Sequence, residues 1–452
     1  MRIFTRLGWG SRLNQFLILV FISMLIGIDA SRAGREFKSG TEWYSYYLIR
    51  ELAKIDSTNQ YVLYSDKPLT GGLTDLTDKS GEAGGKIEME NGCQKIKSPH
   101  NNFKAKILNW PLTYFWTQIR LSWEMLFHSP GILFIPAHTL PVIHPRRSVV
   151  TIHDIGFERL KEVYSSDKIG SSHSLAGKFF DWLAKLLTGG KFSSNILDYH
   201  GWSTKFSLKH AKKIIAVSKF TKQELIDVYP AYRQAGAASE SKIAVVYNGF
   251  NNDLYRPILD RREVRRVLDR YGIKPPYIFY VGRLEKKKNI TGLVDAFVEL
   301  REKYKKLNHK LVLVGNAGLG FDEVKYIIEE FDLDNEVIIT GWVPEQDIPY
   351  IYSGAALFVF PSLYEGFGIP LLQAMALAIP IAASNIPAIS EITAGAAWLF
   401  NPNDKNDMAE KIAQVLLDNK LAEDLVGRGQ IRIKNFSLDK CAKETLAVIE
   451  GI

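Results

Sequence analysis

The chain has only two cysteines in 452 residues, Cys93 and Cys441, far apart and without metal-ligand spacing. That shortage excludes a disulfide framework and a zinc cluster, and it fits a reducing compartment. Proline (18) and glycine (34) are too few for a fibrous or low-complexity chain, while 46% hydrophobic and 23% charged residues exclude a disordered one. A spanning run of about 20 apolar residues is also missing: the charge-free stretch Leu13–Ile28 is shortened by Asn14 and Gln15 and closed by Asp29. What the chain does have is length for two to three domains at roughly 150 residues each. Its 57 basic residues against 49 acidic ones give a net charge of +8, which favours anionic partners such as nucleotide phosphates or lipid headgroups.

Arg2, Arg6 and Arg12 precede that charge-free stretch in the manner of a signal peptide or anchor, but no small-x-small cleavage site follows. Its second half, Met24 to Ser31, reads as a buried parallel strand ending in a polar loop. The folded chain is therefore expected to begin near Met24. Residues 1–23 are either a weak membrane-contacting extension or an upstream start-site artefact.

Short apolar runs then alternate with helical patterns. The first series is Tyr61–Tyr64, Ile132–Ile135, Val149–Ile152, Ile214–Val217 and Ile243–Tyr247; the second is Tyr277–Val281, Leu311–Val314, Val337–Thr340, Leu357–Phe360 and Ile381–Ala383. This predicts an α/β protein of two doubly wound parallel-sheet domains. The hinge is expected at Asn251–Pro257 with the charged Asp260–Arg270. Ligands of such sheets bind beyond the carboxyl ends of the strands, so two facing domains form one deep cleft. Thr70–Gly85 reads as a mobile loop. From Lys86 to Arg147 basic residues interleave with Trp110, Tyr114, Phe115, Trp116, Trp123 and Phe127, a mixture suited either to an anionic membrane surface or to a core-facing helix with a solvated basic side. No nucleic-acid motif accompanies the charge.

Two segments carry chemistry. Strand Tyr277–Val281 runs into Gly282-Arg-Leu-Glu-Lys-Lys-Lys-Asn289, with Asn289 placed to cap the next helix. Arg283 and Lys288 thus sit beside a helix N-terminus, a pairing that suits a diphosphate. Further on, Leu357-Phe-Val-Phe-Pro-Ser-Leu-Tyr-Glu-Gly-Phe-Gly-Ile-Pro-Leu-Leu-Gln373 reads as strand, loop and helix. Gly366 and Gly368 admit a ligand close to the backbone, Glu365 offers an acceptor for sugar hydroxyls, and Gln373 is expected in the first helical turn.

Together with Gly27-Ile-Asp-Ala30, Thr151-Ile-His-Asp154, Ala216-Val-Ser-Lys-Phe-Thr221, Tyr247-Asn-Gly-Phe250, Thr340-Gly-Trp-Val343 and Ser384-Asn385, these segments resemble the retaining, GT-B-fold glycosyltransferases of family 4, the glycosyl transferases group 1 type. The resemblance runs from Met24 to Ile452. It implies an acceptor-side domain over 24–255, a nucleotide-sugar domain over 256–434 and a helix over 435–452 crossing back to the first. It also implies a diphosphate held by Arg283 and Lys288, donor-sugar hydroxyls held by Glu365, and backbone N–H groups from Phe367 and Gly368, with Gly366 and Ile369 in the same loop. Trp342 and Val343 would meet the base. His153, followed by Asp154, matches the active-site histidine near the transferred sugar, and Gly40-Thr41 matches the phosphate-side loop of the first domain.

One departure stands out. The second acid of the E-x7-E motif is Gln373, which keeps an acceptor but loses the charge, for an expected penalty of about 1–2 kcal/mol in donor binding. Ala378 stands where Gly is usual, and Glu162–Lys209 is longer than typical. The resemblance implies transfer of a hexose or deoxyhexose from a nucleotide sugar to a glycan or lipid-linked acceptor, with retention, without a metal or other cofactor, in the cytoplasm or at the inner membrane face. A GT-B epimerase or phosphorylase, and a non-catalytic subunit of a glycan-assembly complex, remain open alternatives.

Overall fold

Runs of β-branched and aromatic residues pair side by side into two sheets, and the segments between them wind into helices over both faces. The computed structural model describes residues 23–77, 88–111, 115–164, 196–230 and 241–452. Residues 1–22, the 78–85 part of the Gly-rich loop, Lys86, Tyr114 and the 165–195 part of the long Glu162–Lys209 stretch lie outside the described residues.

The first sheet comprises β1 (Leu25–Asp29), β2 (Gln60–Ser65), β3 (Met89–Glu90), β4 (Cys93–Lys95), β5 (Phe103–Ile107), β6 (Ile132–Ile135), β7 (Ser148–Ile152), β8 (Lys213–Ala216) and β9 (Ile243–Val245). Their order is β3-β4-β5-β2-β1-β6-β7-β8-β9. All pairs are parallel except the edge ones, β3 with β4 and β4 with β5. That edge escapes a search for apolar runs, because Phe-Lys-Ala-Lys-Ile in β5 alternates: Phe103 and Ala105 are buried while Lys104 faces out.

The second sheet comprises β10 (Tyr277–Val281), β11 (Lys310–Val314), β12 (Val337–Gly341), β13 (Leu357–Phe360), β14 (Ile381–Ser384) and β15 (Trp398–Phe400), ordered β12-β11-β10-β13-β14-β15 and parallel throughout. This is the doubly wound order, with a crevice where the winding reverses between β10 and β13. β13 is buried along its whole length, as a strand covered by helices on both faces must be.

Two expectations change at the junction and in the basic stretch. Asp260–Arg270 is not an open hinge. The Asp260 carboxylate accepts the N–H groups of Arg262 and Glu263, starting a helix over Arg261–Arg270 whose Val264 and Leu268 join the second core. Lys106 and Arg120 are not free surface cations either: they stand 2.5 and 3.5 Å from the buried Glu124 carboxylate. The helix Ser122–Phe127 buries Met125 but leaves Trp123, Leu126 and Phe127 more than half exposed. No described helix is long and apolar enough to cross a membrane. The last helix, Leu438–Glu450, leaves the second domain and buries Cys441, Ala442 and Ile449 in the first domain's core, where Asn59 Nδ2 donates to Glu450 Oε1 at 2.9 Å.

Candidate functional site

Parallel strands end on the same side of their sheet, so loops that are distant in sequence come together at the carboxyl edges. In the first domain β7 ends directly at His153 and Asp154, and the helix Gly40–Ile55 begins after the loop that follows β1. In the second domain β10 delivers Arg283 to Lys288, β12 delivers Trp342, and β13 delivers Glu365 to Gly368. The two carboxyl edges meet.

Residues 286–288 form one 3₁₀ turn. With three residues per turn, consecutive side chains point in three directions. Lys286 Nζ lies 2.5 Å from Glu323 Oε1, Lys287 Nζ 2.7 Å from Asp154 Oδ2 in the opposite domain, and Lys288 Nζ 2.5 Å from Glu365 Oε1. Ser362 Oγ donates to that same Glu365 oxygen at 2.8 Å. The structure therefore joins Lys288, one-fifth exposed, to the buried Glu365 in one ion pair. Arg283 is different: its side chain is two-thirds exposed and its Nε lies 3.4 Å from Glu285 Oε2. Asn289 does not cap the helix Ile290–Lys303 with its side chain. The tight turn leaves it left-handed, at φ 56°, and its Nδ2 donates instead to Pro402 O at 2.8 Å.

Gly366 sits where the two domains touch. A Cβ built there would lie 1.7 Å from the His153 carbonyl oxygen, so any side chain collides with the facing backbone. Thr221 Oγ1, after β8, donates to Gly366 O at 3.2 Å. Gly368 adopts φ 99°, a conformation that only glycine takes without strain, and turns the chain into the helix Ile369–Ala376. Phe367 is buried behind the loop and Pro370 occupies the first turn, as read. Gln373, however, is the fifth residue of that helix and lies a turn deeper than expected. Its Oε1 is 3.4 Å from the Tyr352 hydroxyl.

His153 is held on several sides. Its Nε2 is 2.8 Å from Pro136 O, and because a carbonyl only accepts, that nitrogen carries the proton. Its backbone N–H donates to His138 Nε2 at 3.3 Å, and the Tyr44 ring meets it edge-on at 4.7 Å. Burial lowers the pKa of His153, against the Pro136 hydrogen bond and the Asp154 charge. Burial, with His153 beside it, drives His138 down to about 3, so it is a neutral acceptor. Burial alone would raise the Asp154 carboxyl, yet Lys287 and the Gly156 N–H, which donates to Oδ1 at 2.9 Å, hold it well below the carboxylate range. Both Asp154 oxygens are thereby engaged.

Gly40 and Thr41 form the first turn of the helix Gly40–Ile55, entered through Ser39, whose N–H donates to Glu42 Oε2 at 3.2 Å. At the far rim Phe37 packs edge-on against Trp342, centroids 5.3 Å apart, while Val343 is buried. Beside them the Tyr47 hydroxyl donates to Glu345 Oε2 at 2.6 Å across the cleft, and Asn251 Nδ2 donates to Tyr47 at 3.0 Å. Burial pushes Glu345 up to about 7, against the Tyr47 hydrogen bond and the Lys38 charge. Among the described residues, no three or more His, Cys, Asp or Glu side chains are grouped to hold a metal.

Sequence reasoning did not single out Lys287, Thr221, Tyr47, Glu345 or His138. Thr221 ends the segment Ala216-Val-Ser-Lys-Phe-Thr221, and Lys287 stands in a lysine run whose members are equivalent in one dimension.

Residues 261–432 match the family model described as "Glycosyl transferases group 1". Over 372 residues the chain is 28% identical to O-antigen chain mannosyltransferase B of Escherichia coli, covering 79% of this chain and 85% of that protein. It is 22% identical over 393 residues to O-antigen chain mannosyltransferase RfbU of Salmonella typhimurium strain LT2, covering 86% and 90%. Its fold is similar to that of the sucrose-phosphate synthase of Thermosynechococcus elongatus, with a TM-score of 0.63 at 19% identity over 95% of this chain and 98% of the other.

Proposed function

Because this chain is a GT-B glycosyltransferase whose residues 261–432 belong to the glycosyl transferases group 1 family, we propose that it moves a hexose from a nucleotide-sugar donor to a growing cell-surface glycan on a lipid carrier. Mannose is the leading sugar, since the relatives named above are mannosyltransferases of O-antigen chains. The observation that carries the reading is the Lys288–Glu365 ion pair, next in the chain to Gly366, whose backbone packs against the His153 carbonyl across the domain boundary.

In this reading the departing diphosphate gathers negative charge as the sugar becomes oxocarbenium-like. Lys288 and Arg283 meet that charge, together with the N–H groups of Phe367, Gly368 and Ile369 at a helix start; each well-aimed donor contributes about 3 kcal/mol. Lys288 and Ser362 both engage Glu365 Oε1, which leaves Oε2 to accept from a sugar hydroxyl. His153, with its proton on Nε2, presents an unprotonated Nδ1 that accepts from a further sugar hydroxyl. Trp342 and Val343 flank the base, and Gly40 and Thr41 lie on the phosphate side. The acceptor hydroxyl attacks on the face from which the diphosphate leaves and gives its proton to the leaving phosphate, so configuration is retained and no metal is invoked. The work is done in the cytoplasm, against the inner membrane face.

The test is a panel of GDP-, UDP- and dTDP-sugars offered with lipid-linked glycan acceptors, read by nucleoside diphosphate release and by mass of the extended glycan. Release and extension with one donor support the proposal. Binding without release from any pair removes it. Exposed Trp123, Leu126 and Phe127, rather than Lys106, are the residues through which membrane contact is expected. Equal liposome binding after Trp123→Ser and Phe127→Ser would remove that part.

A further inference from the structure

The Lys287–Asp154 pair crosses between the domains, with side chains only 10% and 25% exposed. Lys287 is also tied to the donor-side machinery by its backbone. Its carbonyl accepts the N–H of Leu363 at 3.0 Å, two residues before Glu365, and its neighbour in the same 3₁₀ turn is Lys288. One residue thus touches Asp154 of the first domain, the Glu365 loop and the Lys288 backbone. Gly156 leaves space for this contact: a Cβ there would stand 3.3 Å from Lys287 Nζ and 3.0 Å from the Tyr364 ring. Tyr364 lies 5.8 Å below the Lys287 ammonium, and its hydroxyl donates across the boundary to Glu224 at 3.1 Å.

We propose that Lys287 is a positioning residue: its ion pair with Asp154 locks the first domain onto the 3₁₀ turn and thereby sets Lys288 and Glu365 against His153. The inference rests on the transferase reading above. A charge pair so shielded from water is costly to break from one side, because the remaining partner stays buried and uncompensated. Opening the domains releases both groups to water, so loss of one partner favours the open arrangement. A cation at 287 then acts at a distance from the sugar, through geometry alone.

Lys287→Met, Lys287→Arg, Asp154→Asn and the double variant Lys287→Met/Asp154→Asn are compared with the wild type. Lys287→Met should lower kcat roughly 10- to 100-fold while leaving nucleoside diphosphate affinity, to which Arg283, Lys288 and the 367–369 N–H groups of the second domain contribute most in this reading, within about threefold. Lys287→Arg should recover most of the loss. The double variant should be no worse than the weaker single, because both changes remove one contact. Small-angle scattering of the ligand-free proteins should show a larger radius of gyration for Lys287→Met than for wild type, a readout independent of turnover. Additive losses in the double variant, or an unchanged radius with wild-type kcat, overturn the proposal. Absence of wild-type turnover with every donor would instead count against the transferase reading, and scattering would still decide the lock.

Discussion

Replacing Gly366 with alanine tests whether the site is assembled only when the domains touch. The added Cβ would lie 1.7 Å from the His153 carbonyl oxygen, 2.8 Å from its carbon and 3.0 Å from Asp154 Cβ. Carbon and oxygen settle no closer than about 3.3 Å, so roughly 1.6 Å of separation must open. Inside a single core such overpacking costs about 1–3 kcal/mol of stability. Here the colliding atoms belong to different domains, and the strain is relieved by moving the domains apart rather than by unfolding either. The expected outcome is a melting temperature close to wild type together with a fall in kcat/KM on the order of 100-fold, the cost of misplacing reacting groups by about 1 Å. Nucleoside diphosphate release gives the rate and differential scanning calorimetry gives the stability. A kcat/KM within about twofold of wild type would refute the reasoning. A collapse of the melting temperature would show that the strain is borne inside a domain.

Three further outcomes follow from the same geometry. Lys288→Ala and Glu365→Ala should each abolish sugar transfer with circular dichroism unchanged, and wild-type turnover in both would remove these residues from the site. Gln373→Glu should tighten donor binding by roughly 5- to 30-fold if a charged acceptor is what the position lacks; titration calorimetry reads this, and unchanged or weaker affinity counts against it. Glu345 titrates near 7 in the folded protein against an ordinary 4.5, so the folded state holds a proton that the unfolded chain has already lost between those values. Stability should therefore fall as pH rises from about 4.5 to about 7 and level off above it. Glu345→Gln should shrink the difference in melting temperature between pH 5 and pH 8, and an undiminished difference would clear Glu345 of the effect.

Much of the fold was legible because a parallel strand covered on both faces must be apolar throughout. Ten such runs stood out between helical patterns, and each became a strand with ends shifted by two residues at most. The strands β3 to β5 at one end of the first sheet were not legible, since a half-exposed strand such as Phe103–Ile107 alternates lysine with apolar residues and reads as charge. Gln373 lies beyond the first turn because the helix already begins at Ile369, directly after the left-handed Gly368, which makes Gln373 its fifth residue.

The sequence alone determined what is local: the apolar runs that make two doubly wound sheets, and the Gly282–Asn289 and Pro361–Gln373 loops that follow two of their strands. Tertiary structure alone decided which groups meet. Three consecutive lysines are equivalent in one dimension, but a 3₁₀ turn sends Lys286 to Glu323, Lys287 to Asp154 and Lys288 to Glu365. Gly366 could be read as a flexible turn residue, and only the packed domains reveal the His153 carbonyl that forbids it a side chain. The reason is physical: backbone and solvent preferences act between near neighbours in the chain, whereas an ion pair or a steric limit exists only where two distant segments have already been brought into contact.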